Sequence, residues 1–215
     1  ENDSMAAAFT AAKKAESLNL DSLALNVLLA DLYLEHKQPE PALEHIDAAL
    51  EKYSQFAENH LRKGNILIAM SKPDEAEQSL LQCLKLDPEA TGASKALADI
   101  YLARGDYDNA LVYIDKNLAK SPGDVYFFYK KGVAKAGTGE LNPSVDLFRS
   151  VIAKDDQYQQ AYSKLGAVYY RKYKYDSARY FANGALKLDE QDTEALLTLG
   201  RVSDRKKAYW VALNY

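Results

Sequence analysis

The chain has 215 residues, 47% of them hydrophobic and 27% charged, with 10 glycines, 6 prolines and a formal net charge of -4. These proportions exclude wholesale disorder and collagen-like repeats, and a single cysteine, Cys83, excludes an internal disulfide framework. A mean hydropathy of -0.39 without an apolar run near eighteen residues excludes a transmembrane helix, and the acidic pI near 5.5 argues against a general nucleic-acid binder.

Small residues recur at a fixed step. Ala30, Gly64, Ala98, Gly132, Gly166 and Gly200 stand 34 positions apart, as do Ala8, Ala42, Ala76, Ala110, Ser144, Ala178 and Ala212. Two combs with one period and no insertion mark an internal repeat.

In chain order, residues 1–22 are expected to form the second helix of a truncated repeat plus a turn. Residues 23–56 and 57–90 follow as units of two amphipathic helices. Pro39, Pro41 and Pro73 open their second helices, where a first-turn proline costs no backbone hydrogen bond. Pro88 and Pro122 follow the second helices of units 57–90 and 91–124, where the chain must turn. Unit 125–158 opens its second helix with Asn142 and Pro143; Asp74, Asp108 and Asp176 hold the place of Asn142 elsewhere and suit a helix start. In unit 159–192, Tyr162, Leu165, Gly166 and Tyr169 share one helix face, and Ala178, Phe181, Ala182 and Ala185 repeat the pattern after a break at Tyr173 to Tyr175. Residues 193–215 are expected to give a first helix and the start of a second, with a turn after Arg205. Both ends thus look cut from a longer repeat array. The small residues are expected to let helices approach closely, Gly or Ala of one facing Ala of its partner.

These landmarks resemble the tetratricopeptide repeat, a 34-residue helix–turn–helix unit. Unit 159–192 carries Tyr162, Leu165-Gly166, Tyr169, Ala178 and Ala185 at the family's landmark positions. Unit 91–124 carries Leu97-Ala98, Tyr101, Gly105, Tyr107, Ala110 and Pro122. Lys63 and Lys131 depart from the usual Leu, Lys135 from the Tyr and Ser144 from the Ala; a lysine stem is expected to pack there while its ammonium reaches water. The resemblance implies an all-α, right-handed superhelical solenoid of antiparallel helix pairs forming one domain. It also implies a concave groove, lined by the first helices, that holds a protein or peptide segment.

No catalytic constellation is found. His36, His45 and His60 lack the spacing of a zinc site; His60 is expected to pack, and His36 and His45 to lie on the surface. Cys83 fills a small-residue position and is expected to be buried and inert. Gly137-Thr138-Gly139-Glu140 lacks the lysine and preceding strand of a phosphate loop and falls at an inter-helix turn. The chain is therefore expected to be no enzyme and to need no metal or cofactor.

Transferring the family's groove geometry gives Val27, Asp31, Leu34 and Glu35, then Glu58, Leu61, Asn65 and Ile68, then Lys95, Asp99 and Leu102. It continues with Tyr126, Tyr129 and Val133, then Gln160, Ser163, Ala167, Tyr170 and Arg171, then Leu197, Arg201 and Arg205. No three successive units complete the Lys/Asn set with which some family members clamp acidic C-termini, so that ligand is rejected. The expected contact residues are Asn65, Lys95, Asp99, Tyr126, Tyr129, Tyr170, Arg171 and Arg201, the tyrosines serving as interface anchors. A basic edge of Arg171, Lys172 and Lys174 beside Arg205, Lys206 and Lys207 is read first as cations complementing helix ends. Charge and tyrosine content favour the C-terminal half for a partner: residues 1–107 hold 10 Lys/Arg against 18 Asp/Glu, residues 108–215 hold 17 against 13, and 14 of 16 tyrosines lie from Tyr101 on. The expected function is a scaffold or adaptor. The alternatives are a recruitment arm of a larger enzyme or export machine, and a segment that self-associates through uncapped ends. A cytoplasmic location and, behind a signal preceding Glu1, a periplasmic or lipoprotein one both stay open.

Overall fold

The computed structural model describes residues 2–18 and 22–213, with side chains over 7–18 and 22–205. Twelve α-helices follow one another: α1 (Asn2–Ser17), α2 (Leu23–Glu35), α3 (Pro39–Lys52), α4 (Ala57–Ala69), α5 (Pro73–Leu86), α6 (Thr91–Arg104), α7 (Tyr107–Lys120), α8 (Val125–Gly137), α9 (Leu141–Lys154), α10 (Gln159–Arg171), α11 (Tyr175–Leu188) and α12 (Thr193–Leu213). No strand occurs among the described residues. The fold is an all-α repeat solenoid whose helices divide into two compact units after Ile100. In the first unit α1 packs on α2, α2 on α3, α3 on α4 and α4 on α5; in the second each helix from α7 to α12 packs on its successor.

One turn geometry joins the two helices of a pair, and it recurs five times. Lys37, Ser71, Gly105, Gly139 and Tyr173 adopt φ of 58°, 59°, 75°, 88° and 59°. Each donates its N–H three residues back, and the next residue donates six-to-one: Gln38 to Tyr33, Lys72 to Leu67, Asp106 to Tyr101, Glu140 to Lys135 and Lys174 to Tyr169, all at 2.8–2.9 Å. This is the Schellman closure of a helix C-terminus, which needs one left-handed residue. Only two of the five are glycine. At the other three the packing of the pair holds an L-residue in a conformation costing about 1 kcal/mol.

Lys207 is next in that series, yet α12 continues unbroken from Thr193 to Leu213, so continuous helix replaces the expected turn after Arg205. The stretch from Ser203 to Trp210 holds no glycine or proline to stop a helix. Glu1, residues 19–21, Asn214 and Tyr215, which belong to the two expected end units, lie outside the described residues.

The glycine comb marks close approach between paired helices, with a refinement of the facing residue. A Cβ on Gly64 would lie 2.6 Å from Leu80 Cδ2, one on Gly132 2.7 Å from Phe148 Cε1, and one on Gly166 3.2 Å from the Ala182 backbone nitrogen. The residue opposite is thus large in two pairs and Ala in one. The facing volume therefore differs from pair to pair, while the second comb (Ala42, Ala76, Ala110, Ser144, Ala178) sits wholly buried beside the glycines. Ser144 replaces Ala without penalty because its Oγ donates to the Gly132 carbonyl at 3.0 Å.

The lysines at Leu positions also find partners. Lys63 Nζ lies 2.8 Å from Asp47 Oδ1 and Lys131 Nζ 2.8 Å from Asp115 Oδ1, each reaching the second helix of the preceding pair. Lys135 bonds Glu140 across the turn at 2.9 Å and lowers that carboxyl's pKa. Gly137 owes its place to packing, not phosphate: a Cβ there would fall 2.2 Å from the Tyr107 ring.

Ser71→Gly should raise the urea midpoint by about 1 kcal/mol of stability, because it removes the left-handed strain of an L-residue. Gly132→Ala should lower stability by about 1–3 kcal/mol through overpacking against buried Phe148, whereas Gly200→Ala, with nothing within 4 Å of its Cβ, should leave it unchanged or raised.

Candidate functional site

In the second unit the first helices α8, α10 and α12 are neighbours. Asp124 caps α8, accepting from the Tyr126 N–H at 2.9 Å and the Phe127 N–H at 3.4 Å. That cap fixes the phase of the helix and leaves Tyr126 half-buried, its ring edge-on to Phe127 at 5.1 Å. The Lys130 ammonium stands 5.1 Å from the Tyr126 ring centroid and 5.9 Å from that of Tyr129.

Tyr129 is not the exposed contact residue the sequence suggested. It is 9% exposed, and its ring packs against Tyr158 at 5.1 Å and Phe148 at 5.8 Å. Burial pushes its hydroxyl pKa far above the usual phenol value, with Glu194, Tyr158 and Asp192 adding to the shift. The aromatic Tyr158 just before α10 draws it inward. Ser163, also expected to face the groove, is 1% exposed.

Ser163 belongs to a polar network that sequence reasoning missed. Asp192, 8% exposed, caps α12 by accepting from the Ala195 N–H at 2.9 Å through one oxygen. Its other oxygen accepts from the Ser163 hydroxyl and the Gln159 side-chain amide. Beside it Lys164 pairs with Glu194 at 2.8 Å. Together with Tyr129 and Gln160 these residues line a cleft of about 360 Å³ at the N-terminal ends of α10 and α12. The one sequence signal was a serine inside an apolar helical face with a capping aspartate one repeat later.

Tyr170 is half-buried, 5.7 Å from Tyr175, and its side chain is hydrogen-bonded to Arg205 of α12. Arg171 turns elsewhere: its Nη1 donates to the Ala136 carbonyl at 2.6 Å, and the adjacent Lys172 donates to the Asn142 amide oxygen. Arg171 therefore completes the C-terminal end of α8, the helix-end role read first for this basic edge. Arg201 is exposed on α12. The side chains of Lys206 and Lys207 lie outside the described residues.

In the first unit Asn65 is exposed on α4, Lys95 exposed on α6, and Asp99 half-buried one turn later. Asp31 and Glu58 of the groove series are tied to Arg62, whose Nε reaches both Asp31 oxygens at 3.1 and 3.2 Å and whose Nη1 lies 3.0 Å from Glu58. His45 is half-buried and not a surface residue. Its ring stacks on Tyr33 at 5.4 Å and bridges Asn26 at 3.1 Å and Glu16 at 3.3 Å. Cys83 is 1% exposed, and burial raises its pKa. Among the described residues no group of three or more His, Cys, Asp or Glu is arranged to hold a metal ion.

The tetratricopeptide-repeat sequence pattern matches residues 61–125, which embrace α5 to α7 and two of the five left-handed turns. That stretch of the chain is thus similar to the tetratricopeptide repeat. Among curated relatives, mouse Superkiller complex protein 3 is 26% identical over 156 residues, covering 72% of this chain and 10% of that protein. Mouse FK506-binding protein-like is 30% identical over 137 residues, covering 60% of this chain and 39% of that protein. The chain thus spans less than half the length of either. Among solved structures the same repeat fold is found in MamA (41-end) from Desulfovibrio magneticus RS-1, with TM-score 0.74, 22% identity, and coverage of 80% of this chain and 98% of that one. It is found again in YrrB, with TM-score 0.71, 22% identity, and coverage of 86% and 96%.

Asp192→Ala should destabilise the second unit by about 2 kcal/mol, since it removes a helix cap and takes an acceptor from the buried Ser163 hydroxyl. Chemical denaturation of the variant followed by circular dichroism checks the figure.

Proposed function

We propose that this chain is a non-enzymatic protein-interaction module, a scaffold or adaptor that holds a peptide or protein segment against its first-helix faces. The observation that carries the reading is on α8, α10 and α12. Tyr126 with Lys130, and Tyr170 with Arg205, present half-buried rings each joined to a cation, beside exposed Arg201. Both rings keep part of their surface in solvent, and a tyrosine ring supplies contact area at low entropic cost. In the first unit Asn65, Lys95 and Asp99 offer polar contacts of the same series. Tyr129 and Arg171 leave the contact set and act as support beneath it and at the end of α8. YrrB, which shares the repeat fold, is described as a tetratricopeptide-repeat protein with an unusual peptide-binding site, in keeping with a peptide ligand here.

A second reading is a recruitment arm within a larger assembly. It is favoured by the 10% of Superkiller complex protein 3 that the chain spans.

Selection from a phage-displayed random peptide library against the purified chain supplies a probe for the first reading. Tyr126→Ala and Tyr170→Ala should each weaken the selected peptide about ten-fold, Tyr126→Ala with the thermal midpoint in place and Tyr170→Ala, whose ring also packs on the core, with a modest fall. Tyr129→Ala should instead lower that midpoint. Unchanged affinity in both Tyr126→Ala and Tyr170→Ala, or a library from which nothing is enriched, sinks the groove assignment.

A further inference from the structure

A second cleft of the second unit lies along α11, away from the cleft at the N-terminal ends of α10 and α12. It has a volume of about 850 Å³ and is lined by Asp156, Gln157, Tyr162, Tyr180, Leu188 and Glu190 among others. Tyr180 is 71% exposed and Leu188 37% exposed, so the cleft opens to solvent. Its floor is built for an aromatic ring. A Cβ on Gly184 would lie 2.8 Å from Tyr162 Cδ1, so the Tyr162 ring lies close against α11 where any other residue would push it away.

The repeat itself shows what such a seat accepts. One step of 34 earlier, Lys154 ends α9 and sets its ammonium 4.4 Å from the centroid of Phe128, while donating to the Gly123 carbonyl at 3.1 Å. Shifted by 34, Phe128 becomes Tyr162, Gly123 becomes Gln157, and Lys154 becomes Leu188. The ring persists, but the lysine at this position is gone, and the lining cation is now Lys187, one residue earlier. A second ring, Tyr180, replaces Asp146, Asp156 replaces Pro122, and Glu190 keeps the carboxylate of Asp156. Against them Lys187 contributes one positive charge, leaving the lining with a net negative charge. Burial raises the Tyr162 pKa, with Asp156 and Tyr180 adding to it, and all three line the same cleft.

We propose that this cleft receives the lysine side chain of a partner protein. The ammonium would sit between the Tyr162 and Tyr180 rings and near Asp156 and Glu190, and its methylene stem would lie along Leu188. Two aromatic rings with nearby carboxylates form the environment in which a desolvated alkylammonium gains from ring quadrupole and charge together. The chain's own repeat has leucine where the filling lysine stands one step earlier, which leaves the space over the Tyr162 ring open to a cation from outside. This site is independent of the first-helix groove.

The test is an amide-resolved NMR titration of the intact chain with acetyl-Leu-Lys-Leu-amide, against the same peptide with norleucine for lysine. The lysine peptide should shift the Gly184 and Asn183 amides saturably, and the norleucine peptide should bind about ten-fold more weakly. Leu188→Lys, which restores the residue found at position 154, should fill the seat and abolish those shifts, while Leu188→Met should keep them. Equal shifts with norleucine, or undiminished binding by Leu188→Lys, overturns the proposal. So does a change of the same amides with protein concentration alone, which assigns the seat to a second copy. Movement of those amides in Lys206→Gln/Lys207→Gln without any peptide would assign it to the chain's own C-terminal lysines, and equally overturns it.

Discussion

Every helix pair in this chain hangs on one backbone residue. Between two helices of 13 or 14 residues, a single position turns left-handed, two N–H groups close the open carbonyls of the first helix, and the second helix departs antiparallel. Because the turn is short and fixed, the register of the second helix on the first is fixed with it. Gly64 then meets Leu80, Gly132 meets Phe148 and Gly166 meets Ala182. The period of 34 is the sequence trace of that closure: lengthening the turn by one residue would rotate the second helix by about 100° and bury its polar face.

The fold was legible because its determinants are local and repeated. Combs of small residues, first-turn prolines and capping acids each mark the same boundaries, and agreement among them leaves little freedom. The left-handed residues themselves were harder to read. Lys37, Ser71 and Tyr173 carry no glycine signature, and only Gly105 and Gly139 announce the conformation. The unbroken α12 shows the other side of this: the same register position, now Lys207, stays helical where no strong stop signal stands nearby.

The candidate site was legible only in part, for a physical reason. Helical spacing says which residues share a face, but not how deep a long side chain sinks beside its neighbours. Tyr126 and Tyr129 stand three positions apart on one face, yet Tyr158 and Phe148 draw the second into the core. Arg171 was placed correctly on its helix, and its length carries the guanidinium to the end of α8. The network of Asp192, Ser163 and Gln159 joins residues 29 and 33 positions apart, so no single helical window contains it. Relations across one repeat are where the chemistry of this chain lies, and they are visible only when the sequence is folded at its own period.

The ion pairs of Lys63 and Lys131 give the stack a grain. At the same register position Leu97 and Leu165 are wholly buried. The two lysine–aspartate contacts, with side chains about a third to a half exposed, weaken as salt rises, whereas an apolar side chain at that position does not respond to charge screening. Each unit therefore has one contact between a helix and the pair before it that answers to ionic strength.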